Sequence, residues 1–193
     1  WITVDGTGVD FPLLMNRELH SAFLSGNVIS GDQRYIYKYL YYDYAGNASD
    51  LGSITLAYRC SLDDPYVIIY GHNAELSGVM FSDLKKFTDR SFFEKNTAAV
   101  IETEQGEMRL DLLLVANVSG YESRVYGIGR GLNAGPALDE SLEYLCENAL
   151  FIRDGLSDPG SLQDGQEPLY SQYILLSTCF DRPENPIDRK SVV

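Results

Sequence analysis

Short apolar runs separated by turn-forming residues recur along this chain of 193 residues. Val, Ile, Leu and Tyr fill the runs, and Gly, Asp and Asn break them, a pattern typical of β-strands. The runs predict strands near residues 1–4, 11–15, 52–58, 66–71, 98–103, 107–118, 121–128, 172–178 and 190–193. Many short strands in one chain favour a mainly β fold that closes into a barrel, with peripheral helices.

Helical spacing interrupts the strand pattern at a few places. A long helix is predicted from Leu138 to Asp154, with an apolar stripe that ends at Gly155. Residues 155–168 are rich in Gly, Asp, Ser and Gln, which predicts a surface loop. No repeat or linker is visible, so residues 1–193 are predicted to form one domain. Shorter helical segments are predicted near 16–25, within 33–42, at 82–87 with Ser82 as N-cap, and at Phe92-Phe93.

The formal net charge of −13 and the isoelectric point near 4.4 limit the classes of partner. A phosphate backbone would be repelled, so nucleic acid is not expected as a partner. The same charge disfavours binding to an anionic lipid surface, whereas it suits a basic partner such as an amine. No apolar run reaches the roughly 18 residues of a membrane span, and the chain opens on a strand-like segment rather than a signal peptide.

Three cysteines, Cys60, Cys146 and Cys179, leave at least one thiol free unless two chains cross-link. Separate buried thiols are the favoured state of Cys60 and Cys146, and a disulfide between them stays open. The chain contains no Cys-x-x-Cys pair, so a tetrahedral zinc site has no support. The sequence therefore predicts neither a metal nor a cofactor.

One apolar run, 173–176, is followed by Ser177, Thr178 and Cys179. The thiol is thus predicted where a buried strand ends, from which it can face solvent on a rigid support. A free cysteine is more often an inert small hydrophobe than a nucleophile, so the thiol alone carries little weight. Arg189, ten residues after the cysteine, precedes the last predicted strand and can supply a nearby cation.

A second apolar run, 66–70, is followed by Gly-His-Asn, which puts His72 and Asn73 at the end of another strand. A lone histidine after a strand is more often a satisfied polar residue, and the other histidine, His20, is interpreted as structural or exposed. Together, a thiol, an imidazole and a guanidinium can perform acyl transfer. The sulfur attacks, the ring moves protons and the cation stabilises the oxyanion. Arg182 is an alternative source of the cation.

These segments resemble those of the class B sortases, which are extracellular cysteine transpeptidases of Gram-positive bacteria. The likeness covers most of the chain. Residues 69–73, 80–84 and 92–93 resemble the histidine segment of that family. Residues 175–179, with Arg189 ten residues after the cysteine, resemble its cysteine segment. Residues 1–12 and 52–59 resemble its first strands.

The resemblance implies a closed eight-stranded β-barrel, with an additional long helix before the cysteine strand. It also implies a catalytic set, which is His72, Cys179 and Arg189. The residues expected to bind substrate are Ser177, Thr178, Asn73 and Asp181, the last of which matches an acidic residue that some members place two after the cysteine.

The reaction implied by the resemblance cleaves a C-terminal sorting motif similar to Asn-Pro-x-Thr through a thioester. The expected partners are the sorting-signal peptide of a surface protein and an amine of a peptidoglycan precursor or a pilin. The expected location is the extracellular face of the cell membrane, with an anchor outside this segment. Two alternatives stay open: a cysteine peptidase that hydrolyses with the same residues, and a β-barrel binding module in which Cys179 is merely buried.

Overall fold

The computed structural model of the protein describes residues 1–27, 33–74, 78–127, 136–153, 170–178 and 190–191. Its strands are β1 (Ile2–Val4), β2 (Asp10–Phe11), β3 (Leu13–Leu14), β4 (Ile54–Leu56), β5 (Tyr66–Tyr70), β6 (Asn73–Ala74), β7 (Val79–Met80), β8 (Ala98–Thr103), β9 (Gly106–Asp111), β10 (Leu114–Ala116), β11 (Val118–Ser119), β12 (Ala149–Ile152), β13 (Tyr173–Ser177) and β14 (Lys190–Ser191). Its helices are α1 (Arg17–Leu24), α2 (Gln33–Ile36), α3 (Arg90–Lys95), α4 (Ser123–Tyr126) and α5 (Pro136–Glu147), with 3-10 helices at Lys38–Leu40 and Ser82–Thr88. The fold is mainly β with peripheral helices, as predicted. Among the helices of these described residues, none combines the length and the apolar content needed to cross a membrane.

Two four-stranded sheets contain most of the strands. In the first, the order β2-β1-β8-β9 is antiparallel throughout. In the second, the order is β13-β5-β4-β3, and β13 runs parallel to β5. Three further pairs, β10-β12, β11-β14 and β6-β7, complete the described strands. Closure of these sheets into one eight-stranded barrel stays a prediction.

One apolar core draws its side chains from both four-stranded sheets. Ile2 and Ile101 come from the first sheet, Ile54 and Ile69 come from the second, and all four are fully buried. Strand β5 lies between β4 and β13, and its first four residues are all buried. A strand covered on both faces has a continuous apolar sequence, which is why the run 66–70 is so apolar. Burying each such side chain stabilises the fold by about 1.5–3 kcal/mol, so β5 is a firm support for the residues that follow it.

The long helix predicted from Leu138 to Asp154 is wrong in its second half. Helix α5 ends at Glu147, and the following residues form β12, which pairs antiparallel with β10. Burial alternates along β12, and the Phe151 ring packs at 5.5 Å from the Phe93 ring. Ala149 and Ile152 fall on one stripe of a helix, whereas in the strand they lie on opposite faces, Ala149 half-buried and Ile152 exposed. Pairing with β10 decides between the two.

The strand predicted at 121–128 is also wrong, because its middle forms helix α4. The Glu122 carboxylate accepts a hydrogen bond from the backbone N–H of Arg124, which caps the helix. Gly127 ends the helix in the left-handed region, at φ +56°. Capping at both ends therefore prevails over the β-propensity of the Val125-Tyr126 pair.

The helix predicted at 82–87 is a 3-10 helix, and Ser82 is not its N-cap. Phe81 occupies the cap position without a side-chain hydrogen bond. The Ser82 hydroxyl instead accepts a hydrogen bond from the Ala74 N–H at 2.8 Å and donates one to the Val79 oxygen at 2.5 Å. Ser82 thus stabilises the antiparallel pair β6-β7, which apolar spacing in the sequence did not predict.

Candidate active site

The strands predicted to carry the histidine and the cysteine are direct neighbours. β5 and β13 run parallel, and Tyr70 pairs with Ser177 at the end of the register. The Gly71 N–H donates a hydrogen bond to the Ser177 oxygen at 3.1 Å, which extends the pairing one step further. Since parallel strands end at the same edge of a sheet, the segments that follow Tyr70 and Ser177 leave the sheet side by side.

His72 follows β5 and is half-buried. Its Nε2 lies 2.8 Å from the carbonyl oxygen of Leu40, the last residue of the 3-10 helix Lys38–Leu40. Its own backbone oxygen accepts a hydrogen bond from the Phe81 N–H at 3.0 Å. The ring and the backbone of His72 are therefore each held by a different segment, and its Nδ1 has no hydrogen-bond partner among the described residues.

Gly71 is required by close packing rather than by a turn. A Cβ at this position would lie 2.6 Å from the ring of Phe81, and real contacts of that kind do not occur. Phe81 is fully buried, so its ring cannot move aside without disturbing the core. The absence of a side chain at Gly71 lets the segment that carries His72 pack directly on this ring.

Asn73, the next residue, begins β6 and pairs with Met80. Its side-chain oxygen is buried and has no hydrogen-bond partner within the described ranges. Buried polar atoms usually have a hydrogen-bond partner. The N–H of a bound peptide could donate a hydrogen bond to this oxygen, which lies next to a candidate catalytic residue. The expected role of Asn73 in substrate binding stays a prediction.

Ser177 and Thr178 are both buried at the end of β13, each with 5% of its surface exposed. The Ser177 hydroxyl lies 3.2 Å from the hydroxyl of Tyr126 in α4. The Thr178 hydroxyl has no partner in the part of the chain that the structure describes. The structure thus brings Ser177 into a side-chain network and leaves Thr178 with an unused polar atom directly before residue 179.

A row of tyrosine rings lies beside these residues and was not predicted from the sequence. The Tyr70 ring packs edge-on against Tyr37 at 6.0 Å and stacks on Tyr126 at 6.3 Å. Burial, together with the neighbouring tyrosines, raises the pKa of Tyr70 well above its ordinary value, so its hydroxyl stays neutral. The signal available in the sequence was Tyr70, which closes the apolar run 66–70, but its ring contacts come from distant segments.

Several predicted site residues lie outside the described residues. They are Cys179, Asp181, the two candidate cations Arg182 and Arg189, and the loop 155–168. The described chain stops at Thr178 and resumes at Lys190, which pairs with Ser119 of β11. The predicted convergence of thiol, imidazole and guanidinium in one cleft therefore stays a prediction.

The other histidine and the other cysteines have structural surroundings. His20 Nδ1 lies 2.9 Å from the Tyr58 oxygen, in agreement with a structural role. Cys60 is buried, Cys146 is half-buried, and no disulfide joins them. The prediction of two separate thiols is thus confirmed, whereas the predicted burial holds for Cys60 and is only partial for Cys146. Burial raises the pKa of the Cys60 thiol, which makes it a poor nucleophile at neutral pH.

Solved structures that share this fold are class B sortases. The chain aligns over its full length with sortase B of Clostridium perfringens at a TM-score of 0.71 and 23% identity, and the alignment covers 88% of that chain. A Streptococcus pyogenes class B sortase involved in pilus biogenesis aligns over the full length of this chain at a TM-score of 0.68 and 23% identity, with 87% of that chain covered. The chain therefore has the fold of the class B sortases.

The sequence is also similar to sortase B of Listeria monocytogenes, with 33% identity over 94 residues. Those residues make up 48% of this chain and 31% of the relative, so the aligned part spans about a third of the relative's length. No protein-family model matches the chain. The resemblance to class B sortases predicted from the sequence is confirmed, in fold over the whole chain and in sequence over this part of it.

Proposed function

We propose that this chain is the catalytic domain of a sortase-type cysteine transpeptidase. The observation that carries the proposal is the parallel pairing of β5 with β13, whose ends precede His72 and Cys179. In that register His72 is two residues beyond Tyr70, and Cys179 is two residues beyond its partner Ser177. An imidazole and a thiol that leave one sheet edge at matching positions can reach each other, as acyl transfer requires.

In the proposed mechanism, the Cys179 thiolate attacks the threonine carbonyl of a sorting motif. Arg189 and backbone N–H groups stabilise the oxyanion, and the loss of one such donor costs about 3–4 kcal/mol of barrier. The C–N bond then breaks, and the His72 imidazolium protonates the departing amine. An incoming amine attacks the thioester, gives a proton to His72 and releases the cysteine thiolate.

The proposed substrate is the sorting signal of a surface protein, with a motif similar to Asn-Pro-x-Thr. Ser177, Thr178, Asn73 and Asp181 are proposed to contact this peptide, and the unpaired polar atoms of Asn73 and Thr178 support that proposal. The acceptor is an amine of a peptidoglycan precursor or of a pilin. We place the reaction at the extracellular face of the membrane of a Gram-positive bacterium, with an anchor outside this segment.

The test is mass spectrometry of the protein incubated with Asn-Pro-x-Thr peptides, with and without an oligoglycine or lysine-containing acceptor. We expect an acyl adduct on Cys179 and, with acceptor present, a ligated product. Cys179→Ala should form neither, whereas Cys60→Ala and Cys146→Ala should form both. A product made by Cys179→Ala would contradict the nucleophile assignment.

The same experiment separates the two alternatives. Cleaved peptide without ligation at any acceptor concentration indicates a hydrolytic cysteine peptidase. Absence of both adduct and cleavage across the peptide panel, together with measurable peptide binding, indicates a binding module. Preference between the oligoglycine and the lysine acceptor distinguishes wall anchoring from pilus assembly.

A further inference from the structure

The imidazole of His72 is oriented by a backbone carbonyl. Its Nε2 lies 2.8 Å from the oxygen of Leu40. Because a carbonyl oxygen can only accept a hydrogen bond, Nε2 carries a proton whenever this contact is made. We infer that the Leu40 carbonyl is a positioning group that keeps the proton on Nε2 of His72 and leaves Nδ1 as the nitrogen that gains and loses the catalytic proton, a role that rests on the proposed function.

The carbonyl of Leu40 is held by the backbone around it. The neighbouring carbonyls of the stretch 39–42 are bound to one adjacent segment, residues 49–53. Only small rotations of the Leu40 peptide are compatible with these bonds, so its oxygen has a defined direction. The Ser53 N–H donates to the Tyr39 oxygen at 2.6 Å, the Ser49 N–H donates to the Tyr41 oxygen at 3.0 Å, and the Ser53 hydroxyl donates to the Tyr42 oxygen at 3.0 Å.

Gly52 packs directly against this carbonyl. A Cβ at position 52 would lie 2.5 Å from the Leu40 oxygen and 2.6 Å from the Leu40 carbonyl carbon. The backbone of Gly52 also lies in the left-handed region, at φ +56°. Glycine is the residue that tolerates both conditions. Any side chain at position 52 would therefore push the Leu40 oxygen away from its place beside His72.

The other histidine of the chain provides an internal reference. Nδ1 of His20 lies 2.9 Å from the Tyr58 oxygen, so the same argument puts the proton of His20 on Nδ1. The two neutral rings are therefore expected in opposite tautomers within one molecule. A neutral imidazole bound to one fixed carbonyl keeps a single tautomer, which distinguishes each ring from one that turns freely.

Proton transfer at Nδ1 balances in both half-reactions. As imidazolium, His72 carries protons on both nitrogens, and Nδ1 gives its proton to the amine as the peptide C–N bond breaks. The Nε2–H group keeps its hydrogen bond to the Leu40 oxygen throughout. In the second half-reaction, Nδ1 takes a proton from the attacking amine as the C–S bond of the thioester breaks. The ring returns to the imidazolium form without having to turn.

The direct test is nuclear magnetic resonance of protein labelled with 15N-histidine, at a pH high enough that the ring signals no longer change. We expect His72 to show a protonated Nε2 whose hydrogen is seen directly because it exchanges slowly with water. His20 should show a protonated Nδ1, and the variant His20→Gln assigns the two rings. A His72 protonated on Nδ1, or an Nε2 hydrogen that exchanges as fast as in free histidine, overturns the inference.

Gly52→Ala tests the positioning device, and Gly46→Ala is its matched control. Both glycines have positive φ, at +56° and +87°, but a Cβ at position 46 would have nothing within 4 Å. Gly52→Ala should lose the protected Nε2 hydrogen of His72 and lower kcat by about 10- to 100-fold with little change in KM. Gly46→Ala should keep both. An unchanged Nε2 signal in a folded Gly52→Ala variant counts against the inference.

The milder variant Ser53→Ala removes the hydroxyl that binds the Tyr42 oxygen. If Gly52→Ala does not fold, Ser53→Ala provides the test in its place. It should broaden or shift the His72 Nε2 signal, and an unaltered signal would speak against the role of this segment. The spectroscopic result does not depend on turnover. If the protected Nε2 hydrogen is present but no peptide is ligated or cleaved, the ring placement stands and the proposed function fails.

Discussion

The hydroxyl of Tyr126 lies 3.2 Å from the hydroxyl of Ser177, which precedes Cys179 by two residues. This contact joins helix α4 to the end of the strand that leads to the cysteine. Tyr126 also stacks on Tyr70, the residue that pairs with Ser177 in the sheet. The ends of both strands are therefore tied to one another and to α4 before the candidate catalytic residues begin.

Tyr126→Phe should lower the free energy of unfolding by about 1 kcal/mol, because the Ser177 hydroxyl loses a hydrogen-bond partner. Ser177→Ala should have a similar effect. The double variant should lose less than the sum of the two, as expected for residues in contact. Urea denaturation measures all three. Tyr121→Phe is the matched control, since its side chain is 66% exposed and should change stability by less than about 0.5 kcal/mol.

Gly71→Ala should destabilise the fold by about 1–3 kcal/mol, because the new methyl group would overlap the ring of Phe81. Gly8→Ala is a suitable control, since a Cβ there would meet its nearest neighbour at an ordinary 3.5 Å. The double variant Gly71→Ala/Phe81→Leu should recover part of the loss by making room for the methyl. Thermal or urea unfolding gives these values, and a neutral Gly71→Ala would show that Phe81 can move.

Cys60 should resist iodoacetamide in the native protein at pH 8, because burial excludes the reagent and raises the thiol pKa. In urea it should react at the ordinary rate. Peptide mapping of the labelled wild type should find the fastest label at Cys179, and Cys179→Ala should lose that label. If Cys60 reacts as fast as Cys179 in the folded protein, the assignment of a specially reactive thiol is wrong.

Glu122→Gln should destabilise the protein slightly at pH 7 and hardly at all at low pH. Two hydrogen bonds from the Arg124 guanidinium, together with one from its backbone N–H, lower the pKa of the Glu122 carboxyl from 4.5 to about 2. A carboxyl whose pKa is lower in the folded state stabilises that state above its unfolded pKa, and this contribution is lost as the pH falls through the folded pKa. The difference between wild type and variant should therefore shrink between pH 4.5 and about pH 2.

Urea denaturation at pH 7 and at pH 3 measures this difference on either side of the isoelectric point near 4.4. Glu143→Gln, on the exposed side of α5, makes the same change of charge away from Arg124. It should show a smaller change with pH than Glu122→Gln. Equal pH dependence in the two variants would show that overall charge, rather than the contact with Arg124, is responsible.

The strands that carry the candidate site could be predicted from the sequence because each contains an uninterrupted apolar run. The apolar runs 66–70 and 173–176 match β5 and β13 closely. Prediction failed where a segment fits two periodicities, as at Ala149–Ile152, or where local capping decides, as at Ser123–Tyr126. At the first place, pairing with a distant strand decides between helix and strand, and at the second, the geometry of the helix caps decides. Apolar spacing reveals neither.

The sequence by itself determined which residues follow the apolar runs of β5 and β13, and so it identified His72 and Cys179 as candidates. Only the tertiary structure decided that these strands are parallel neighbours in register at Tyr70 and Ser177. It also decided that a carbonyl 32 residues away, that of Leu40, meets the histidine ring. Strand order, register and the approach of a backbone carbonyl depend on how distant segments pack, and apolar periodicity carries no information about which segments those are.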